Sequence, residues 1–212
     1  MSRVSFRNAG RVSDYADKRY RGQLQRRISK WERAIVARIL QRIGAQGASI
    51  LDIPSGYGRF TDIVRAAGAK LFAADISSDM VIRTAAGAKT DGCSFFVADA
   101  TAIPLADKSV DGTITVRLLQ HLADEKLRIS IMGELCRVAT RFVLVTFYDR
   151  EGLHALQRLV KKKSRRTRKH IEFLTRFQFT AEAEAAGLEV VEFFPVRRIF
   201  HAQCFALLQP RT

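Results

Sequence analysis

A chain of 212 residues with 47% hydrophobic side chains is long enough to bury one sizeable core, short for two domains, and too apolar to be disordered. Its cysteines, Cys93, Cys136 and Cys204, stand far apart without a C-x-x-C pair; this excludes a disulfide framework and a cysteine zinc site and suits a reducing compartment. The N-terminal stretch is polar and arginine-rich, and no apolar run has the length of a membrane span, so the expectation is a cytoplasmic protein, with contact at the inner membrane surface left open.

The net charge of +15 is concentrated in two segments. Residues 1–42 hold 12 Lys/Arg against 3 Asp/Glu, and residues 158–169 hold 8 Lys/Arg and no acid. The remainder is close to neutral, with 16 basic and 18 acidic residues. Two readings stand at this point. The segments are either solvated faces or a surface for an anionic partner, whether phosphate groups, nucleic acid or an acidic membrane.

The first twenty residues are weakly periodic, with Tyr15 and Tyr20 among charges. Leu24, Ile28, Trp31, Ile35, Ile39 and Ile43 then recur at spacings of three and four, the stripe of an amphipathic helix that Gly44 is placed to end. The run 48–53 suits a strand buried on both faces. A helix is expected over Phe60 to Ala67, a strand over Lys70 to Asp75, and a helix over Ser78 to Ala88. Further strands are expected at Ser94 to Asp99 and Val110 to Val116. Next come a helix from the candidate N-cap Asp124 to Val138 and a strand from Arg141 to Phe147. The chain closes with a short helix over Thr180 to Ala186 and strands over Leu188 to Phe194 and Phe200 to Leu208. Strands alternating with helices predict a doubly wound α/β sheet of seven strands. The last two have no helix between them, so the C-terminal edge must include an antiparallel strand. The expected organisation is one domain over residues 1–212, with an N-terminal helical cap at 1–44 and a basic insertion at 150–176.

Chemistry concentrates where the first three strands end. Gly56-Tyr57-Gly58 follows a buried strand and opens a helix, a turn in which glycine lets the backbone bend and approach a ligand. Asp75 closes the second strand, 17 residues after Gly58, where a carboxylate can accept hydrogen bonds from both ribose hydroxyls of an adenosine cofactor. Asp99 closes the third, within reach of an adenine amine. Each feature alone has a bland explanation, as a cap or a turn. Three at successive strand ends point to one nucleotide crevice.

The segment Asp52-Ile53-Pro54-Ser55-Gly56-Tyr57-Gly58 and the block from Ala98 to Asp111 resemble the class I S-adenosylmethionine-dependent methyltransferases, in particular the small ubiquinone-biosynthesis type. The likeness runs from Ile50 to about Val145 and is weaker from Phe177 onward. Pro54 stands where the family's acid-x-Gly-x-Gly-x-Gly motif has its first glycine. The resemblance implies a Rossmann-like fold with S-adenosylmethionine bound by Asp52, Pro54, Ser55, Gly56 and Gly58. It further implies Asp75 on the ribose, Ile76 and Met80 flanking the adenine, and Asp99 and Ala100 at its edge. A nicotinamide dinucleotide site fits less well: counting from Gly56, the sixth position of Gly-x-Gly-x-x-Gly is Thr61. The absence of an Asn/Asp-Pro-Pro-Tyr run after strand four disfavours methylation of adenine or glutamine amides.

The acceptor side offers His121 as a general base or substrate-orienting group, or else as a histidine that ties its loop to the sheet. Arg117 is a further candidate for the cofactor or an anionic substrate. Tyr148 and Asp149 follow strand five and are expected to face the crevice, with Lys161, Lys162 and Arg165 of the basic run near its mouth. Leu153, Leu156, Leu159 and Val160 make either a core-facing stripe or a membrane-surface helix. His154, His170 and His201 receive no role, and no metal-ligand spacing is present. The expected partner is an anionic acceptor, a phosphorylated small molecule or an envelope glycolipid. RNA is the alternative acceptor, although residues 158–169 contain no aromatic residue. A non-catalytic S-adenosylmethionine-binding regulator is a third class.

Overall fold

The computed structural model describes residues 23–87, 92–151, 171–197 and 201–211. Tyr15, Tyr20, the stripe at 153–160, His154, His170 and the basic residues Lys161, Lys162 and Arg165 lie outside the described residues.

The elements run α1 Gln23–Arg42, β1 Ser49–Asp52, α2 Thr61–Ala66, β2 Lys70–Asp75, α3 Ser78–Gly87, β3 Cys93–Val97, β4 Val110–Thr115, α4 Glu125–Val138, β5 Ala139–Tyr148, α5 Arg176–Ala185, β6 Leu188–Arg197 and β7 His201–Pro210. Among the described residues seven strands form one sheet in the order β3-β2-β1-β4-β5-β7-β6. The first five are mutually parallel. The C-terminal strands supply the antiparallel edge, with β7 between β5 and β6 and antiparallel to both. The chain is thus a Rossmann-like, doubly wound α/β fold.

Both faces of the sheet are covered, which is why its strands read as near-continuous apolar runs. On one face Met132 and Leu135 of α4 and Phe179 of α5 pack on Val143, Val145, Phe147, Cys204 and Ala206; the Phe147 and Phe179 rings stack at 4.2 Å. On the other face Val36, Ile39 and Leu40 of α1 and Val64 of α2 cover Ile50, Leu144, Phe205 and Leu207. Each fully buried aliphatic side chain of this kind contributes about 1.5–3 kcal/mol.

Three local readings shift. The buried stripe of α1 is Ile28, Glu32, Val36, Ile39 and Leu40, rotated from the expected one, so that Leu24 is 64% exposed. A charged residue stands within the apolar face, and counting apolar residues alone passed over it. Helix α5 begins at Arg176 rather than at Thr180, because Thr175 and Gln178 form a capping box that satisfies the first turn. Strand β3 ends at Val97, which leaves Asp99 in a tight bridge with Ala102. Asp124 does cap α4, accepting from the Lys126 N–H at 3.0 Å.

Candidate active site

The turn after β1 is built from backbone. The Ile53–Pro54 peptide is cis, and the Ser55 N–H donates to the Ala74 carbonyl at 2.8 Å, tying the turn to β2. Gly56 and Gly58 both have positive φ, +58° and +78°, but they answer different demands. A Cβ on Gly58 would stand 2.8 Å from the Thr84 methyl and 3.0 Å from the Thr61 hydroxyl, so glycine there permits α3 to pack. A Cβ on Gly56 would meet nothing within 4 Å. Its open side is the face a ligand can approach. The Thr84 hydroxyl lies 2.8 Å from both the Gly56 and the Met80 carbonyl oxygens and braces the turn against α3.

Two buried acids flank this opening. Asp75 accepts from the Gly56 N–H at 2.9 Å and the Ser77 N–H at 3.0 Å. A carboxylate has about four acceptor positions, so both ribose hydroxyls can still be served. Burial raises the Asp75 carboxyl above its ordinary range, opposed by the N–H groups of Ser77, Gly56 and Ile76. Asp52 is 1% exposed, and neither of its oxygens has a hydrogen-bond partner. Burial pushes its carboxyl up to about 8, with Arg59 pulling it down and Asp75 adding to the rise. The hydroxyls of Ser55 and Thr61 are also buried without partners. Buried polar atoms are seldom left unpaired without a reason. An unpaired acid beside an open glycine fits a cofactor that brings an ammonium and a sulfonium.

The structure places Ile76 directly after β2 and Met80 in the first turn of α3, largely buried. Asp99 accepts from the Thr101 N–H at 2.9 Å and its hydroxyl at 2.8 Å, and Ala100 packs against the core beside it. Residues from the ends of β1, β2 and β3 therefore gather at one edge of the sheet, where parallel α/β sheets take their ligands.

Two expected ligand groups are otherwise engaged. The Arg117 guanidinium donates to Glu32 through Nε at 2.7 Å and Nη2 at 2.8 Å, and the Arg117 backbone N–H donates to the Thr146 hydroxyl at 2.7 Å. Asp149 is buried and accepts from Arg176 Nε and from the Glu151 N–H, each at 2.9 Å. Both side chains join elements of the fold, where an open crevice was expected. The reason is tertiary: partners 85 and 27 residues away in sequence claim them.

His121 closes a short 3-10 turn, Leu119–His121, and is half-buried. The half-buried Tyr148 meets Phe173 edge-on at 5.4 Å and His201 at 5.8 Å, so His201, given no role from sequence, belongs to this corner. Sequence reasoning also missed Glu32, Arg59, Gln120 and Gln203. Gln120, beside His121, and Gln203, opposite Tyr148 on β7, are at most 2% exposed, and their amides are without partners. The one legible signal was Glu32, four residues after Ile28 and four before Val36. Among the described residues no group of three or more His, Cys, Asp or Glu is arranged to hold a metal, and no helix is long and apolar enough to cross a membrane.

A glycine turn and strand-end acids on a sheet of this order make a Rossmann-like methyltransferase fold. Residues 50–141 match the family model described as "Methyltransferase domain". Among solved structures it is similar to magnesium protoporphyrin IX methyltransferase from Synechocystis PCC 6803 with bound SAH, at a TM-score of 0.78 and 15% identity over 97% of this chain and 100% of that one. It is also similar to a SAM-dependent methyltransferase from Methanosarcina mazei, at a TM-score of 0.67 and 18% identity over 82% of this chain and 96% of that one. A third likeness is to a SAM-dependent methyltransferase from Aquifex aeolicus, at a TM-score of 0.65 and 16% identity over 97% of this chain and 99% of that one. These likenesses show a shared fold. No curated protein matches the sequence.

Proposed function

We propose that this protein transfers a methyl group from S-adenosylmethionine to an anionic acceptor, a phosphorylated small molecule or envelope glycolipid. The observation that carries the cofactor reading is the open side of Gly56 between the buried carboxyls of Asp52 and Asp75. Asp52 would face the ammonium of the methionine part, Asp75 the ribose, and Ile76, Met80, Asp99 and Ala100 the adenine. When bound, the cofactor supplies a sulfonium-borne methyl group open to in-line displacement. The chain's own contribution is then mainly positioning and exclusion of water. His121, in the turn after β4, is the group that would take a proton from a hydroxyl or amine acceptor at its imidazole.

The anionic acceptor is supported by the charge. The net charge is +15, and α1 carries six basic residues whose sole acidic neighbour on the helix, Glu32, is buried. Arg27 and Lys30 are exposed on it.

The test is methyl transfer from labelled S-adenosylmethionine into a fractionated cell extract, with mass spectrometry of the product. Label in small phosphorylated compounds or glycolipid supports the reading. Label in RNA, with a salt-sensitive RNA affinity, replaces it with the RNA alternative. Cofactor binding without label in any fraction favours a regulatory role.

A further inference from the structure

We propose that Glu32 is a positioning residue that joins docking of the N-terminal helix α1 and binding of the cofactor into one equilibrium; this rests on the methyltransferase reading above.

Glu32 is fully buried, and two loops of the crevice reach it. Arg59, the residue directly after Gly58, donates to Glu32 Oε2 through Nη2. Arg117, on the loop leaving β4 toward His121, donates to both Glu32 oxygens. The next residue of α1 completes the grip: Arg33 donates to the Arg59 carbonyl at 2.6 Å and to Asp62 at 3.0 Å. One turn of α1 thus holds the side chain and the backbone of the residue that ends the glycine turn.

The charges explain why this contact does more than fasten a helix. Burial alone would raise the Glu32 carboxyl, yet Arg59 and Arg117 together hold it below its ordinary value, so it stands as an anion between two cations. Both arginine side chains are nearly buried, at 11% and 9% exposure. Without the carboxylate, the two guanidinium groups would lose the anion they share in a low-dielectric site and repel each other, shifting the turn at Gly58 and the β4 loop with them. Arg59 also acts on Asp52, the unpaired acid of the cofactor side. Helix α1 does not depend on Glu32 for its attachment, since Val36, Ile39 and Leu40 bury its second half in the core. Loss of Glu32 therefore loosens the first half of the helix and the crevice together. Coupling of this kind is reciprocal: what α1 does for the cofactor, the cofactor does for α1.

The experiment uses S-adenosylhomocysteine as the probe, with calorimetry for affinity and amide hydrogen exchange over 23–42 for the helix. In the wild type the probe slows exchange in α1. Glu32→Gln, which keeps the shape and removes the charge, weakens probe binding about tenfold, a typical coupling between linked sites, and abolishes that protection; Glu32→Asp falls between. Arg33→Ala, a more exposed change that spares the buried charges, gives a smaller loss of the same sign and serves if Glu32→Gln does not fold. A folded Glu32→Gln protein that binds the probe like the wild type overturns the proposal, as does a wild-type helix whose exchange ignores the probe. Failure of the wild type to bind the probe at all overturns the cofactor reading, and this proposal with it.

Discussion

The two halves of the crevice are made differently. Over β1, β2 and β3 the working parts are backbone N–H groups, an open glycine and acids at strand ends, all within residues 52–102. Over β4, β5 and β7 the charged side chains are claimed by distant partners, Arg117 by Glu32 and Asp149 by Arg176, and Tyr148 forms an aromatic corner with Phe173 and His201. The first half presents local chemistry that suits one common ligand. The second is a product of tertiary packing, and it is where proteins sharing a fold come to differ in what they act on.

If that division holds, substitutions in the first half change cofactor affinity, and those at Asp149 and the aromatic corner, away from the Glu32 contact, leave it alone. The largest effect is expected from Asp75→Ala. It removes the acceptor proposed for two ribose hydroxyls, together with that of the Gly56 N–H, and S-adenosylhomocysteine affinity measured by calorimetry falls about 100-fold, as for two charge-assisted hydrogen bonds. Equal binding by mutant and wild type would refute the cofactor assignment.

Asp52→Asn has two effects of opposite sign. It weakens the probe about tenfold by removing the carboxyl proposed to face the cofactor's ammonium group. It also stabilises the ligand-free fold at alkaline pH. Because the folded carboxyl titrates near 8 and the ordinary value is 3.8, the folded state holds its proton more tightly than the unfolded state. Stability from this group is therefore full below about pH 4, is lost as pH rises toward 8, and is level above that. Thermal melts between pH 5 and 9 should show this slope in the wild type and a flatter one in Asp52→Asn.

Gly56→Ala comes next. Its methyl points into open space, so packing is undisturbed and the positive φ costs about 1–2 kcal/mol, while the probe loses about fivefold because the methyl stands where a ligand would approach. The smallest effect belongs to Asp149→Asn. Probe affinity does not change, while loss of the pair that the buried Asp149 makes with Arg176 costs about 3 kcal/mol in a denaturant titration. A matching loss of affinity would erase the distinction between the halves.

Much of the fold was legible because apolar runs bounded by Gly and Pro mark strands buried on both faces, and Lys70–Asp75 carries the bounds expected of it. The glycine turn was legible for the same local reason. The engagement of Arg117 and Asp149 was not legible, since their ion pairs cross 85 and 27 residues of sequence and leave no local trace. Glu32 was within reach of the periodicity. An acid at the position that continues Ile28 to Val36 is anomalous on a buried face, and buried carboxylates need cations. Gln120 and Gln203 leave no such trace, because an uncharged amide in a strand or turn is unremarkable until its burial is known.

The position of β7 bears on the order in which these halves can form. Strand β6 precedes β7 in the chain, yet among the described residues it bonds to the rest of the sheet only through β7. The two must therefore enter as a hairpin, or β7 must settle on β5 first. The five parallel strands need neither. The crevice over β1, β2 and β3 lies among strands that pair without this hairpin, whereas the corner at Tyr148 takes Gln203 opposite it from β7.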